Sequence, residues 1–344
     1  MKVANHDSAH AMTRPDIQET VAFLSRPEAY SDASVRVETK QTHMSWVFLT
    51  EAHAWKLKKP VRNDYVDFST PEARRKNCEE EVRLNRRLAA DVYFGVVPLL
   101  IAEGRNLRLG GVGQPVDWLV HMRRLPSDRM LDHTIAHHSW TEDDARKVGV
   151  LLAGFYKRSG PIRMTETEYR NQLTNELVQT RNELSRREYG LPTDLLESVI
   201  DIQLRDIQRD TQPFDWGVRA GKIVEAHGDL RPEHICLEPQ PVIIDCLESN
   251  RALRLLDPAS ELAFLDLECE RLGAPRFSEL VLRTYCDQTG DRPSDGLLRF
   301  YKSYHACIRA KIAVWHLRDH EADTFAKWIA KGTEYLRLVA SEVH

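Results

Sequence analysis

The chain has 344 residues, 42% of them hydrophobic, with 48 Lys and Arg against 52 Asp and Glu for a formal net charge of −4. That is enough chain for two substantial units, each with a core, in a composition ordinary for globular proteins. The slightly acidic balance excludes a protein organised around nonspecific binding to nucleic acid or to an anionic membrane surface.

From 15 to 24, Ile17, Val21, Phe23 and Leu24 recur at roughly helical spacing, which predicts a short helix stopped by Pro27. The period then changes: 35–39 alternates, 46–50 is apolar and 54–58 alternates again, the pattern of a three-strand meander. Ser69-Thr70-Pro71-Glu72 joins a hydroxyl cap, an early proline and an acidic first turn, so a helix is expected through Cys78, Val82, Leu84 and Leu88 to about 90. The runs 96–101 and 118–122 read as strands, with Gly110-Gly111 as a turn between them. Strand content then falls, which places a boundary near 125 and divides the chain into an extension with a short helix (1–33), a β-rich lobe (34–125) and a mainly helical lobe (126–344). Helical spacing in the last covers 128–138, 141–158, 166–188, 195–209, 277–289, 297–317 and 324–340. His133 and His137 stand one helical turn apart, but with neither a nearby Cys nor an H-E-x-x-H pattern they are read as structural. The amino-terminal MKVANHDSAHAMTRP lacks the apolar core of a secretion signal, no run approaches membrane-spanning length, and cysteines 78, 236, 246, 269, 286 and 307 lack CxxC spacing. A cytoplasmic protein with reduced thiols is expected.

The most informative stretch is 227–248, HGDLRPEHICLEPQPVIIDCLE. Two apolar runs, 235–237 and 242–244, flank Glu238-Pro239-Gln240-Pro241, which turns the chain back as in a tight β-pair. Asp229 precedes the first run and Asp245 follows the second, so both carboxylates reach the same end of a small hairpin. A metal and a reacting hydroxyl could be held together there. Phosphoryl transfer asks for that combination: an orienter or base for the hydroxyl, a divalent cation on the phosphate oxygens, and positive charge around the transferring group.

The ordered set of H-x-D, a ligand position five residues beyond the Asp and a hydrophobic strand ending in Asp, followed by Asp257-Pro258 and Glu261-Leu262-Ala263, resembles the aminoglycoside phosphotransferase family. The blocks WVFL, AWKLKKPV, DFSTPEARRKNCEEEVRLNRRLA, VHMRRLP and IIDCLE look like its uncharacterised bacterial branch. Some members of that branch carry a further P-loop kinase domain; this chain has no G-x-x-x-x-G-K-[ST], so the resemblance implies a stand-alone version. It implies an α+β, bilobal protein-kinase-like fold with a small β-rich N-lobe and a larger helical C-lobe. The implied activity moves the γ-phosphate of ATP, with GTP as an alternative donor and Mg²⁺ or Mn²⁺ as the metal, to a hydroxyl of a small molecule; neither nucleic acid nor membrane is a partner.

The roles the resemblance implies follow residue by residue. Asp229, in the motif begun by His227, is the base or orienter, and Asp245 is the principal metal ligand. His234 stands where the family places Asn, and its nitrogen suits transition ions better than Mg²⁺; Glu248 is a candidate for the missing oxygen ligand. Lys56, in an A-x-K strand, or Lys58 on the same face, holds the phosphates. One of Glu79, Glu80 and Glu81 pairs with that lysine, with Glu80 favoured because it lies four residues before Leu84. Thr42 and Ser45, in a loop without Gly, could touch phosphate; the base would lie on backbone near Met122, and Arg124 could reach phosphate or substrate. Asp257 would brace the metal-binding loop. Two other readings stand beside this one. The chain could be a protein Ser/Thr kinase, or a non-catalytic nucleotide-binding (pseudokinase) interaction protein, which His234 and the Gly-free loop favour.

Overall fold

In the computed structural model, which describes residues 15–31, 36–62, 66–102, 106–318 and 325–340, the chain divides into two compact units. Of the described residues, one unit holds those up to 86 with 90–124, and the other 87–89 with those from 125 on. The segment 1–14, the expected strand residue Val35 and the expected helix residue Thr324 lie outside the described residues.

The first unit is built on one antiparallel sheet. Its strands are β1 Glu38–Gln41, β2 Ser45–Leu49, β3 His53–Lys58, β4 Tyr93–Ile101, β5 Leu107–Leu109 and β6 Gln114–Arg123, in the spatial order β1-β2-β3-β6-β4-β5. Alternation in β2 and β3 sends Phe48 and Leu57 to one face, where they join Leu99 and Leu119. That face is closed by α1 (Ile17–Leu24) and the segment after it, through the buried Leu24 and Tyr30. A reciprocal capping box between Asp16 and Glu19 starts α1. Helix α2 (Pro71–Asn85) starts where Thr70 accepts a bond from the Ala73 amide, and packs on β4 and β6. It ends at Asn85, short of the expected 90, because Arg86 turns to donate to the carbonyls of Tyr93 and Phe94 as the chain enters β4.

The second unit is mainly helical: α3 Leu131–Ala136, α4 Glu142–Ser159, α5 Glu166–Leu184, α6 Thr193–Arg209, α7 Gln212–Arg219, α8 Pro258–Arg271, α9 Pro275–Thr289, α10 Asp295–Trp315 and α11 Phe325–Ala340. Helix α10 lies among α5, α8 and α11 in an apolar cluster that includes Tyr301, Ala306 and Leu336. Two short antiparallel pairs complete it: β7 (Val224–Glu225) with β10 (Leu255–Leu256), and β8 (Ile235–Cys236) with β9 (Val242–Ile243). The helix expected over 128–138 is broken at Met130, whose extended backbone bridges to Cys236; only α3 and a preceding 3₁₀ turn remain. All six cysteines are buried, and none forms a disulfide. Among the described residues no helix is long and apolar enough to cross a membrane.

Two buried polar groups give the fold testable signatures. Arg74 on α2 grips Asp117 on β6 through Nε–Oδ1 (2.9 Å) and Nη2–Oδ2 (2.8 Å), and its Nη1 donates to the Phe68 carbonyl at 2.7 Å. Removing one partner leaves a buried charge without its counter-ion, so Arg74→Met is expected to cost about 3–5 kcal/mol in urea unfolding, and Arg74→Met with Asp117→Leu much less. Equal losses in the two variants would contradict this account. In the second unit His305 bonds Ser260 Oγ at 2.9 Å and stacks on Phe264, and burial pushes its imidazole down to about 3. An unfolded histidine titrates near 6.5, so as the pH falls from about 6.5 toward 3 the unfolded chain takes a proton that the native one refuses. Stability from this group is complete above that window and declines through it. Asp257, raised to about 6 by burial, works in the opposite sense between about pH 4 and 6. The difference between the native chain and His305→Gln isolates the histidine's share: the native chain should lose roughly 1.4 kcal/mol more per pH unit from pH 6 to 4. Parallel stability curves for the two would refute it.

Candidate active site

In the first unit the cationic feature is a pair of lysines on one carboxylate. Lys56 and Lys58 share a face of β3, and both reach Glu81 on α2: Lys56 Nζ donates to Oε1 at 2.9 Å, and Lys58 forms a direct ion pair with Oε2. Glu81 is fully buried and Lys58 nearly so (1%), whereas the Lys56 side chain keeps 13% of its surface in solvent. Glu80, favoured from sequence, instead bonds Arg83 on the outer side of the helix. The reason is helical phase. Residues 74, 78, 81 and 85 form the buried stripe of α2, and Glu81 stands three residues after Cys78 and four before Asn85, which is the spacing that identifies it.

Other expected contacts in this unit are spoken for. Thr42 and Ser45 form a local turn in which the Thr42 hydroxyl accepts from the Ser45 amide, while the Ser45 hydroxyl is buried, so a phosphate could not meet it there. The Met122 side chain is buried in β6, which does not bear on the expected contact, a backbone one. Arg124 donates to the Thr50 carbonyl and pairs with Glu38 at 3.2 Å.

In the second unit the loop before β8 and the residue after β9 converge as their spacing suggested. His227 is entirely buried. Its Nε2 meets the Ile244 carbonyl at 2.9 Å and its Nδ1 faces the Asp229 amide at 3.3 Å, so Nε2 carries the proton and Nδ1 accepts. Burial, aided by His234, pushes this imidazole down to about 3 and keeps it neutral. His227 therefore positions the loop, and having no exposed surface it does not touch a substrate. Gly228 has φ +85°, and a Cβ there would approach the Cβ atoms of Arg254 and Leu247 to 3.0 Å, so the position requires glycine. The Gly228 and His227 amides donate to the two oxygens of Glu261 on α8 at 2.5 and 3.1 Å, and the Tyr156 hydroxyl donates to the same carboxylate at 2.8 Å. Glu261 thus does the bracing expected of Asp257, which instead caps α8 through the Ala259 amide.

Asp229 retains 27% side-chain exposure and Asp245 43%. Burial raises the Asp229 carboxyl, but the guanidinium groups of Arg231 and then Arg309 hold the group below the ordinary value. The Arg231 Nε–Oδ1 bond is 2.9 Å. Asp245 adopts φ +60°, a left-handed conformation that costs a non-glycine residue energy and is found where surrounding structure enforces it. His234 lies between the two carboxylates: Nδ1 donates to the Asp229 carbonyl at 2.8 Å, while Nε2 faces Arg231 Nη2 at 3.1 Å and Asp245 Oδ2 at 3.5 Å. Since a guanidinium only donates, the Nε2 lone pair is directed at Arg231, and the imidazole has no lone pair left to offer a metal. Glu248 is half-buried on the loop that follows. Among the described residues no group of three or more His, Cys, Asp or Glu side chains is arranged to hold a metal. Mg²⁺ does not demand such a cage, because it is commonly held by one or two carboxylates, waters and substrate phosphates, and Asp245 with its exposed carboxylate fits that mode. Arg231 is the functional candidate that sequence reasoning passed over, although it lies inside the motif.

No protein-family model matches the chain. Uncharacterized proteins of Mycobacterium tuberculosis and Mycobacterium bovis are 30% identical over 284 residues, which is 80% of this chain and 54% of theirs; the chain spans about half the length of these curated relatives. Among solved structures, the GDP complex of aminoglycoside 2′-phosphotransferase-IIIa matches over 96% of this chain and 100% of its own, with a TM-score of 0.58 at 14% identity. A choline/ethanolamine kinase family protein of Mesorhizobium loti matches over 94% of each chain, with a TM-score of 0.53 at 15% identity. The chain has the kinase-like fold of the aminoglycoside phosphotransferases, a sheet-based unit followed by a mainly helical one.

Proposed function

We propose that this protein is an ATP-dependent phosphotransferase that moves the γ-phosphate to a hydroxyl of a small molecule. The observation that carries this reading is the convergence, at one end of the β8–β9 hairpin, of an ionised Asp229 on a fastened loop and an Asp245 in an enforced left-handed conformation. The fold shared with a GDP-bound aminoglycoside phosphotransferase supports a nucleotide as donor. In the transfer, the bond from the γ-phosphorus to the bridging oxygen breaks, the nucleoside diphosphate departs with the electron pair, and the acceptor oxygen bonds to phosphorus as its proton passes to an Asp229 oxygen. A divalent cation held by Asp245 would offset charge on the phosphate oxygens.

The chain's own residues divide the remaining work. Asp229 accepts a hydrogen bond from the acceptor hydroxyl and aims its oxygen at phosphorus. Its depressed pKa makes it a weak base, which suits a loose transition state in which little proton transfer is needed until late. Lys56 is the phosphate ligand, because it is the more exposed of the two lysines and Lys58 remains to neutralise Glu81 when Lys56 turns to phosphate. His234 keeps the Asp229 carbonyl and Arg231 in place. The pseudokinase reading has one observation in its favour, the engagement of His234 Nε2 by Arg231.

Calorimetry with ATP and with GTP, each with and without Mg²⁺ or Mn²⁺, separates the two readings. Metal-dependent binding is expected for the native chain. It should weaken at least tenfold in Lys56→Met and in Asp245→Asn. Asp229→Asn should still bind nucleotide while turnover with an accepted substrate falls by roughly 10²–10⁴-fold. Absence of nucleotide binding in the native chain under every condition would end the phosphotransferase reading.

A further inference from the structure

A second set of charges in the same unit leads away from Asp229 through α8, α10 and α11. Glu268 on α8 is fully buried, and each of its oxygens is engaged: Arg309 Nε lies 3.0 Å from Oε1, Arg271 Nε 2.9 Å from Oε2, and the Tyr335 hydroxyl donates to Oε1 at 2.8 Å. Arg271 continues to Glu233 at 3.9 Å, and Glu233 lies 3.8 Å from Arg231, the partner of Asp229. The ladder therefore runs unbroken from the Asp229 loop to α11. Both guanidinium groups also lie over the Tyr335 ring, at 5.6 and 5.7 Å.

Lys331 stands one turn before Tyr335 on α11 and is half-buried. The Tyr335 ring that both guanidinium groups overlie is the next turn of the same helix; burial, Arg309 and Arg271 disfavour the charged form of Lys331, and Glu268 and Glu233 only partly offset them. Among the described residues no carboxylate lies within ion-pair distance of its ammonium, whose nearest described aromatic neighbour is the Trp328 ring at 5.7 Å. The cluster sets four cations, Arg231, Arg271, Arg309 and Lys331, against three carboxylates, Asp229, Glu233 and Glu268. Half-burying a surplus ammonium beside two guanidinium groups is unfavourable unless an anion completes the set. The Arg271 and Arg309 side chains keep 13% and 11% of their surface in solvent, so the cluster borders on solvent. Glu233 contributes a second requirement, since its buried Oε2 has no hydrogen-bond donor and would take one from a hydroxyl.

We propose that the acceptor carries an acidic group, a carboxylate or a phosphate, which Lys331 binds together with Arg271 and Arg309 while an acceptor hydroxyl meets Asp229. The substrate class is then a polyhydroxylated acid or a phosphorylated polyol, and a polycationic aminosugar would be repelled. This deepens the phosphotransferase reading and rests on it for the role of the hydroxyl, but the anion site stands on its own geometry.

The test uses the full chain without nucleotide, at constant ionic strength, titrated in a calorimeter with inorganic phosphate, gluconate and glucose 6-phosphate, and with glucose and glucosamine as neutral and cationic counterparts. The anions are expected to bind in preference to their counterparts. Lys331→Gln should weaken them at least tenfold, and Lys331→Arg should restore binding. The proposal is overturned if no anion binds, if glucose or glucosamine binds as well as the anions, or if Lys331→Gln has no effect. Loss of phosphate binding in Lys56→Met alone would also overturn it, by assigning the anion to the lysine pair of the first unit. ATP consumption is then measured separately with the same compounds. Lys331-dependent anion binding without any transfer would leave the anion site standing and count against phosphotransfer. Transfer to glucose or glucosamine that is indifferent to Lys331→Gln would do the reverse.

Discussion

Glu261 accepts two backbone amides of the His227-Gly228 step and the Tyr156 hydroxyl, with the carboxylate wholly inside the protein. A buried carboxylate is tolerable only when its oxygens are filled with donors, and here three donors arrive from two separate elements. Burial pushes its pKa upward, while the same hydrogen bonds pull against that shift. The consequence reaches beyond Glu261. Strands β8 and β9 pair through only two residues each, too little to hold a hairpin by itself, yet the loop that opens it is fixed to α8. His227 then ties that loop to the far strand through Ile244, and the Leu247 amide returns to the His227 carbonyl at 3.0 Å. Asp229 and Asp245 are located by this framework of buried bonds, and their side chains keep 27% and 43% of their surface in solvent.

Much of this was legible in the sequence because it rests on local chemistry. The proline-rich turn between two apolar runs specified the hairpin, and the capping residues Thr70 and Thr141 marked helix starts that the structure places one residue later. What the sequence left open depended on phase or on distant partners. Three consecutive glutamates on α2 differ only in rotation, and spacing to Leu84 selects Glu80 whereas spacing to Cys78 and Asn85 selects Glu81; only packing on the sheet decides between them. Met130 sits in a stretch with acceptable helical spacing, but a bridge to Cys236, more than a hundred residues away, keeps it extended. Likewise, Asp257-Pro258 identified the start of α8, but that Glu261 rather than Asp257 faces the loop follows from the direction of the helix, which local pattern does not contain.

The lysine pair on β3 illustrates how a charge is made available without being left unsupported. One carboxylate, Glu81, serves two ammonium groups, and the deeper ammonium has the more buried environment. Removing Lys56 from Glu81 would leave the Lys58 contact intact, so a buried carboxylate never loses its last cation. Were Lys58 the mobile one, a nearly sealed side chain would have to leave the interior. The alternation of β3, which puts both lysines on one face, thus yields two different environments once α2 supplies a single anion between them.

The same logic governs the second unit, where negative charge is the difficulty. In the proposed reaction the two carboxylates would repel the anionic phosphoryl group, and the intervening positions carry Arg231 and His234. Arg231 offsets Asp229 directly, at the cost of basicity, since the stabilised carboxylate binds a proton less readily. For an acyl or proton-abstraction reaction that would be a poor exchange. In a phosphoryl transfer with a loose transition state, alignment and charge balance matter more than the strength of the base, and a carboxylate that stays ionised can receive a hydrogen bond from the incoming hydroxyl until the proton passes to it late in the transfer. The cations that weaken Asp229 as a base also continue through Glu233 and Glu268 to Lys331. In the proposed reaction, the acidity of the orienting carboxylate and the charge of the acceptor therefore follow from one electrostatic arrangement.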